Sequence, residues 1–219
     1  MELFVSDAAN RWQLNGTAYP LQLDSGSVNI VIRDASGLLD LNKAEPVQLM
    51  AVLEAAGAEE ADSQQLADAI LDWRDTDQLR RLHGAEDNDY RHAGLDWGAR
   101  DGNFVSVDEL RYVLGMTHEL FEQLAPYLTV YSSKGTIDLE YAPPWLYSAL
   151  TKMEREPTES PIANDTLAAG PFHITAWATS NNGSRASVEA VIRIARNSEK
   201  PYTILSWHEP GRSRKMTPG

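Results

Sequence analysis

Cysteine is absent from the 219 residues, which excludes disulfides, thiolate nucleophiles and any zinc or iron–sulfur site with cysteine ligands. There is no run of about 18 apolar residues that would read as a membrane-spanning helix, and Met1 to Trp12 lacks the basic and apolar regions of a signal peptide. Positive charge is scarce. With 19 basic against 32 acidic residues the net charge is -13, a balance that repels nucleic-acid phosphates and anionic membrane surfaces. Low-complexity tracts and repeats at solenoid spacing are also missing. What remains is 42% hydrophobic and 23% charged, the composition of a globular chain with one domain, or one domain carrying a large insertion.

Strand signals sit near the two ends. Asp24-Ser25-Gly26 supplies a turn, and Val28, Ile30, Val31 and Ile32 make Ser27 to Arg33 a strand. Later, Phe172, Ile174, Ala176 and Ala178 alternate with His173, Thr175, Trp177 and Thr179, and Asn181-Asn182-Gly183-Ser184 carries the Asn-Gly signal of a tight hairpin. The return strand places Val188, Ala190, Ile192 and Ile194 on one face, and Tyr202 to Trp207 forms a third run after a turn-like Asn197 to Pro201. An antiparallel meander follows from this pattern.

Between these ends the period is helical. Pro46 opens a segment with Val47, Met50 and Leu53 on one face and Gly57 as its stop. Asp62 with Gln65 resembles a capping box ahead of Leu66, Ala69, Ile70 and Trp73 at i, i+3, i+4 and i+7. Ser106 with Glu109 resembles another, ahead of Val107, Leu110, Val113 and Leu114, closed by Gly115. Thr117 starts a short helix through Leu120, Phe121 and Leu124 that Pro126 ends. Strands and helices are segregated along the chain, which predicts an α+β fold. Glu154 to Gly170, with Pro157 and Pro161, reads as the link back to the sheet.

The acidity is concentrated. From Glu54 to Asp101 there are 13 acidic residues against 5 arginines, and Asp72, Asp75 and Asp77, then Glu86, Asp87 and Asp89, form two dense clusters. A hard cation that takes six to eight oxygens relieves such repulsion, so calcium is one reading. The other is a solvated acidic face, its aspartates capping turns and pairing with Arg74, Arg80, Arg81 or Arg91. The spacing does not fit an EF-hand, because neither the glycine nor the bidentate glutamate falls at its offset.

Signals for catalysis are poor. His83, His92, His118, His173 and His208 show no H-E-x-x-H spacing. A metal-assisted hydrolase would rest on acidic residues such as Asp75 and Glu86, but carboxylates in an acidic loop specify no reaction. Asp24-Ser25-Gly26-Ser27 is a turn and not a nucleophile elbow. Leu110 to Leu124 invites comparison with a helix-hairpin-helix nucleic-acid module, yet it has one glycine where such hairpins have two, and Glu109, Glu119 and Glu122 flank it. Trp73, Trp97, Trp145, Trp177 and Trp207 read as buried anchors.

Three motifs then occur in a specific order: Asp72-Trp73-Arg74-Asp75-Thr76-Asp77, Gly84-Ala85-Glu86-Asp87, and Ser106-Val107-Asp108-Glu109-Leu110-Arg111 with Val113 and Gly115. In this order they resemble the K-class minor pseudopilins of the bacterial type II secretion system. The resemblance implies a pseudopilin-like antiparallel sheet, with residues 1–37 and 159–210 forming a discontinuous domain. It also implies an all-helical domain inserted at 38–158, and 211–219 reads as a flexible tail. It implies a non-enzymatic subunit at the pseudopilus tip, assembled with I- and J-class minor pseudopilins to support export of secreted substrates, with no nucleic acid bound. It further implies a periplasmic protein anchored in the inner membrane by an N-terminal helix, of which Glu2 to Trp12, with Leu3, Phe4, Ala8 and Trp12, would be the end. Calcium in the helical domain is implied as well, carried over to Asp72, Asp75, Asp77, Glu86, Asp87 and Asp89.

Overall fold

The computed structural model describes residues 12–152, 170–195 and 200–209. In chain order the elements are β1 (Asn15–Leu23), β2 (Gly26–Asp34), β3 (Leu39–Asp40), α1 (Pro46–Ala55), α2 (Glu60–Arg74), α3 (Asp87–His92), α4 (His118–Leu124), β4 (Leu128–Thr129), α5 (Pro144–Thr151), β5 (Pro171–Ser180), β6 (Arg185–Ile194) and β7 (Tyr202–His208). The chain divides into two compact units, Met1–Gly37 with Asn164–Gly219, and Leu38–Ala163. The expected link at 154–169, the tail at 211–219 and the helical end at 2–11 lie outside the described residues.

The first unit is a five-stranded antiparallel sheet in the order β1-β2-β5-β6-β7. Alternation decides its faces. Ile30 lies between Tyr19 and Ala176, Ile32 pairs with Ile174, and Ile174 pairs with Ala190, so apolar side chains share one face across the strands. Arg33, His173, Thr175 and Glu189 fall on the other. The strand β1 escaped the sequence pattern because Gly16 and Pro20 interrupt it. Proline is tolerated there because β1 is an edge strand, and Gly16, at φ +96°, lies within the stretch where the β1 register shifts. The β5–β6 connection is longer than a two-residue turn: Asn181 to Ser184 separates the strands, Ser180 N–H donates to the Ser184 carbonyl at 2.9 Å, and Gly183 takes φ +83°.

His173 is pushed down to about 4 by burial and by the neighbouring Arg33 charge. The unfolded chain therefore binds this proton more readily than the folded one between the ordinary histidine value and pH 4. Stability is full above about 6.5 and falls as the pH drops through that window. Melting temperature should accordingly decline from pH 7 to pH 4, and less steeply in His173→Gln; identical slopes would contradict the burial.

The second unit is helical, with one correction to the all-helical expectation: β3 and β4 form a short parallel bridge, Leu39 opposite Leu128 and Asp40 opposite Thr129. In α1 the buried residues are Leu49, Ala51, Val52 and Leu53, while Val47 is 53% exposed, so the face is rotated from the one the sequence suggested. In α2, Leu66, Ala69, Ile70 and Trp73 are buried as their spacing predicts, but the helix begins at Glu60 after Glu59, which places Asp62 inside it. Ser106 does cap the next segment, accepting from Asp108 N at 3.1 Å; that segment is a 3-10 helix, Val107–Tyr112, and Glu109 pairs with Arg100 at 3.1 Å. Thr117 caps α4 through Leu120 N at 3.2 Å. Trp73 stacks on Phe104 and tilts against Tyr90, with ring centres 6.1 and 5.9 Å away. Side chains of this size contribute about 2–3 kcal/mol each on burial. The other tryptophans are not all anchors, since Trp97, Trp177 and Trp207 are exposed.

Candidate metal centre

The last turns of α2 present two chemistries. Leu66, Ile70 and Trp73 face the core, while Asp68, Asp72 and Asp75 recur at i, i+4 and i+7 along another side. The chain from Thr76 to Glu86 folds back onto that acidic side. Asp77 accepts the Leu79 N–H at 2.8 Å and tightens the first turn. Arg81 donates from Nη1 to Asp72 Oδ1 at 2.7 Å and to Asp75 Oδ2 at 2.5 Å, and its backbone N–H reaches Asp72 Oδ2 at 3.2 Å. His83 N–H donates to Asp68 at 3.2 Å. Gly84 is required here by proximity: a Cβ would sit 1.9 Å from Asp72 Oδ2. Ala85 and Glu86 follow into the interior, and Asp89 accepts the Glu86 N–H at 3.0 Å at the start of α3.

The result is a convergence of Asp75, Asp77 and Glu86, each offering a carboxylate oxygen within 4.8 Å of the others. Cations with oxygen distances of about 2.3–2.6 Å span such separations. Glu86 is 5% exposed, and both of its carboxylate oxygens are buried with no hydrogen-bond partner. Asp75 Oδ1 is buried and unpartnered too. Orphaned buried oxygens on charged groups are costly. Burial, then the charges of Asp72, Asp75, Asp101 and Asp77, push the Glu86 carboxyl up to about 7. A hard divalent cation fits this donor set: it satisfies the orphaned oxygens, cancels the repulsion and prefers oxygen ligands.

The other three residues expected at a metal lie outside this trio. Asp72 is fully buried and bound by Arg81; burial raises its carboxyl, against the lowering effect of those bonds. Asp89 divides between the Glu86 N–H and Arg80 Nη1, the latter at 3.3 Å. Asp87 packs under Gly98, where a Cβ would lie 1.9 Å from its Oδ1. Sequence reasoning passed over Asp101. It stands at φ +56°, holds Gln78 Nε2 at 2.8 Å and adds to the field on Glu86. Its one local signal is the turn-forming Asp101-Gly102 pair.

Compared with known proteins, residues 28–133, which contain every one of these carboxylates, match the family model described as "Type II secretion system (T2SS), protein K". That segment, just under half of the chain, is similar to type II secretion system protein K. A protein K of Aeromonas hydrophila is 34% identical over 121 residues, covering 53% of this chain and 37% of that protein, and one of Klebsiella pneumoniae is 29% identical over 133 residues, covering 55% and 40%. The aligned part of this chain thus spans about two fifths of the curated relatives' length. Among solved structures, a chain of the GspK-GspI-GspJ complex from enterotoxigenic Escherichia coli shares the fold, with TM-score 0.62 and 17% identity over 93% of this chain and 88% of that one. This chain, like that one, combines an antiparallel sheet with a helical unit in an α+β fold. Among the described residues no helix is long and apolar enough to cross a membrane.

Proposed function

We propose that this chain is the periplasmic part of a minor pseudopilin that caps the tip of the type II secretion pseudopilus. There it assembles with I- and J-class minor pseudopilins to support export of secreted proteins across the outer membrane. The role is structural and not catalytic. In this reading the subunit is attached to the inner membrane by an apolar N-terminal helix, and one calcium ion held by Asp75, Asp77 and Glu86 braces its helical unit. The observation that carries the assembly role is the fold shared with one chain of the GspK-GspI-GspJ complex over 93% of this chain, joined to the protein K match at 28–133.

The alternatives lack support. The stretch compared with a helix-hairpin-helix consists of a 3-10 helix and the seven-residue α4, within an acidic chain that phosphate repels. Among the described residues no histidine joins the carboxylate trio. The test is to mix the chain with its cognate I- and J-class partners and measure mass by light scattering after size exclusion. A ternary complex with one copy of each is expected. Three separate peaks at tens of micromolar would overturn the reading, as would salt-sensitive binding of duplex DNA by the chain alone.

A further inference from the structure

We infer that Arg81 is the positioning residue of the carboxylate trio, an inference that rests on the calcium reading above. A single guanidinium nitrogen bridges Asp72 Oδ1 and Asp75 Oδ2. The Asp72 side chain has no exposure, and the adjoining Trp73 fixes that turn of α2 in the core. One end of the bridge is therefore immobile. Asp75 is different. It follows the last residue of α2, its side chain is 27% exposed, and its Oδ2 is held by Arg81. By occupying Oδ2, Arg81 leaves Oδ1, buried and without a partner, as the oxygen free for a cation. The neighbouring arginines are placed differently: Arg74 donates to the Leu41 and Ala44 carbonyls, and Arg80 reaches Asp89.

A positive charge beside a cation site presents two opposed effects. Coulomb repulsion alone says that removing the guanidinium tightens calcium binding. Positioning says that removing it releases Asp75 and weakens binding, as loss of a hydrogen-bonding partner behind a metal ligand does, by about 10–100-fold. The two differ in sign, and the geometry favours the second, because the nitrogen tethered to the immobile Asp72 is the one that holds Asp75 Oδ2.

Calorimetric calcium titration of the wild-type chain, Arg81→Gln and Arg81→Lys at low ionic strength tests it. The wild-type arm reads the site itself: saturable binding is expected, and its absence would end the calcium reading whatever the variants do. With binding present, Arg81→Gln should raise Kd about 10–100-fold, and an equal or lower Kd overturns the inference. Arg81→Lys keeps the charge but loses the planar fork, so a smaller weakening, about three- to tenfold, is expected. Should Arg81→Gln not fold, Arg81→Lys decides alone, and unchanged or tighter binding overturns the proposal. Terbium luminescence lifetimes in light and heavy water separate positioning from general loosening. The weakened variant should gain at least one metal-bound water where Asp75 lets go, and weaker binding with an unchanged water count rejects the positioning role.

Discussion

Millimolar calcium is expected to raise the melting temperature of the wild-type chain by about 5–10 °C, and Glu86→Gln to abolish the increase. A ligand at about one hundred times its Kd that binds only the folded state contributes about 2.7 kcal/mol. For a chain of this size each kcal/mol moves the midpoint about 2–4 °C. Glu86 is the residue to change because both of its oxygens are buried without partners. In chelator, Glu86→Gln should melt no lower than the wild type, since a neutral amide removes a buried charge that Asp72, Asp75, Asp101 and Asp77 oppose. Asp87→Ala separates the structure from the sequence pattern. Asp87 packs against Gly98 and lies outside the converging trio, so this variant should keep its response to calcium. Scanning calorimetry with and without chelator makes the comparison, and a wild-type midpoint indifferent to calcium would refute a stabilising site.

Gly84→Ala is expected to cost about 3–5 kcal/mol, a large share of ordinary domain stability. The added methyl would lie 1.9 Å from Asp72 Oδ2, 2.8 Å from its Cγ and 3.2 Å from the Asp68 carbonyl oxygen. Asp72 cannot yield without breaking its bonds to Arg81, which would leave a buried carboxylate uncompensated. Gly102→Ala is the control: nothing lies within 4 Å of its Cβ position and its φ is not in the left-handed region, so a change within about 0.5 kcal/mol is expected there. Urea denaturation of both variants checks the pair. A mild Gly84→Ala would mean that the α2 end and its return loop are less tightly joined than the geometry indicates.

Periodicity made the segregated order of strands and helices legible. Leu66, Ala69, Ile70 and Trp73 recur at helical spacing and are buried, and the alternation of Phe172 to Thr179 does form a strand. Local chemistry misled where two structures share a signature. Val107, Leu110 and Val113 are three apart, which suits a 3-10 turn as well as an α-helix. Asp62 and Gln65 have the residue types of a capping box but sit inside α2, because the extended N-cap is Glu59 instead. The edge strand β1 was hidden by Pro20.

At the site, composition located the acidic clusters but not the oxygens that converge. That choice is made by contacts between residues six to nine positions apart: Arg81 neutralises Asp72 and takes one oxygen of Asp75, and Arg80 draws on Asp89. Farther along the chain, Gly98 lies against Asp87 and Asp101 adds to the field on Glu86. No spacing rule anticipates partners brought together by a folded loop. Glycine in Gly84-Ala85-Glu86-Asp87 is nevertheless intelligible afterwards, as the residue that lets the backbone press against Asp72 while Glu86 turns inward.

The central claim is that Asp75, Asp77 and Glu86 together hold one divalent cation. Crystals of the chain grown with calcium and measured at a long wavelength test it most directly through the anomalous difference map. The account predicts a single strong peak bonded to oxygens of all three side chains. A map without a peak there, or with its peak at Asp87 and Asp89 instead, would contradict it.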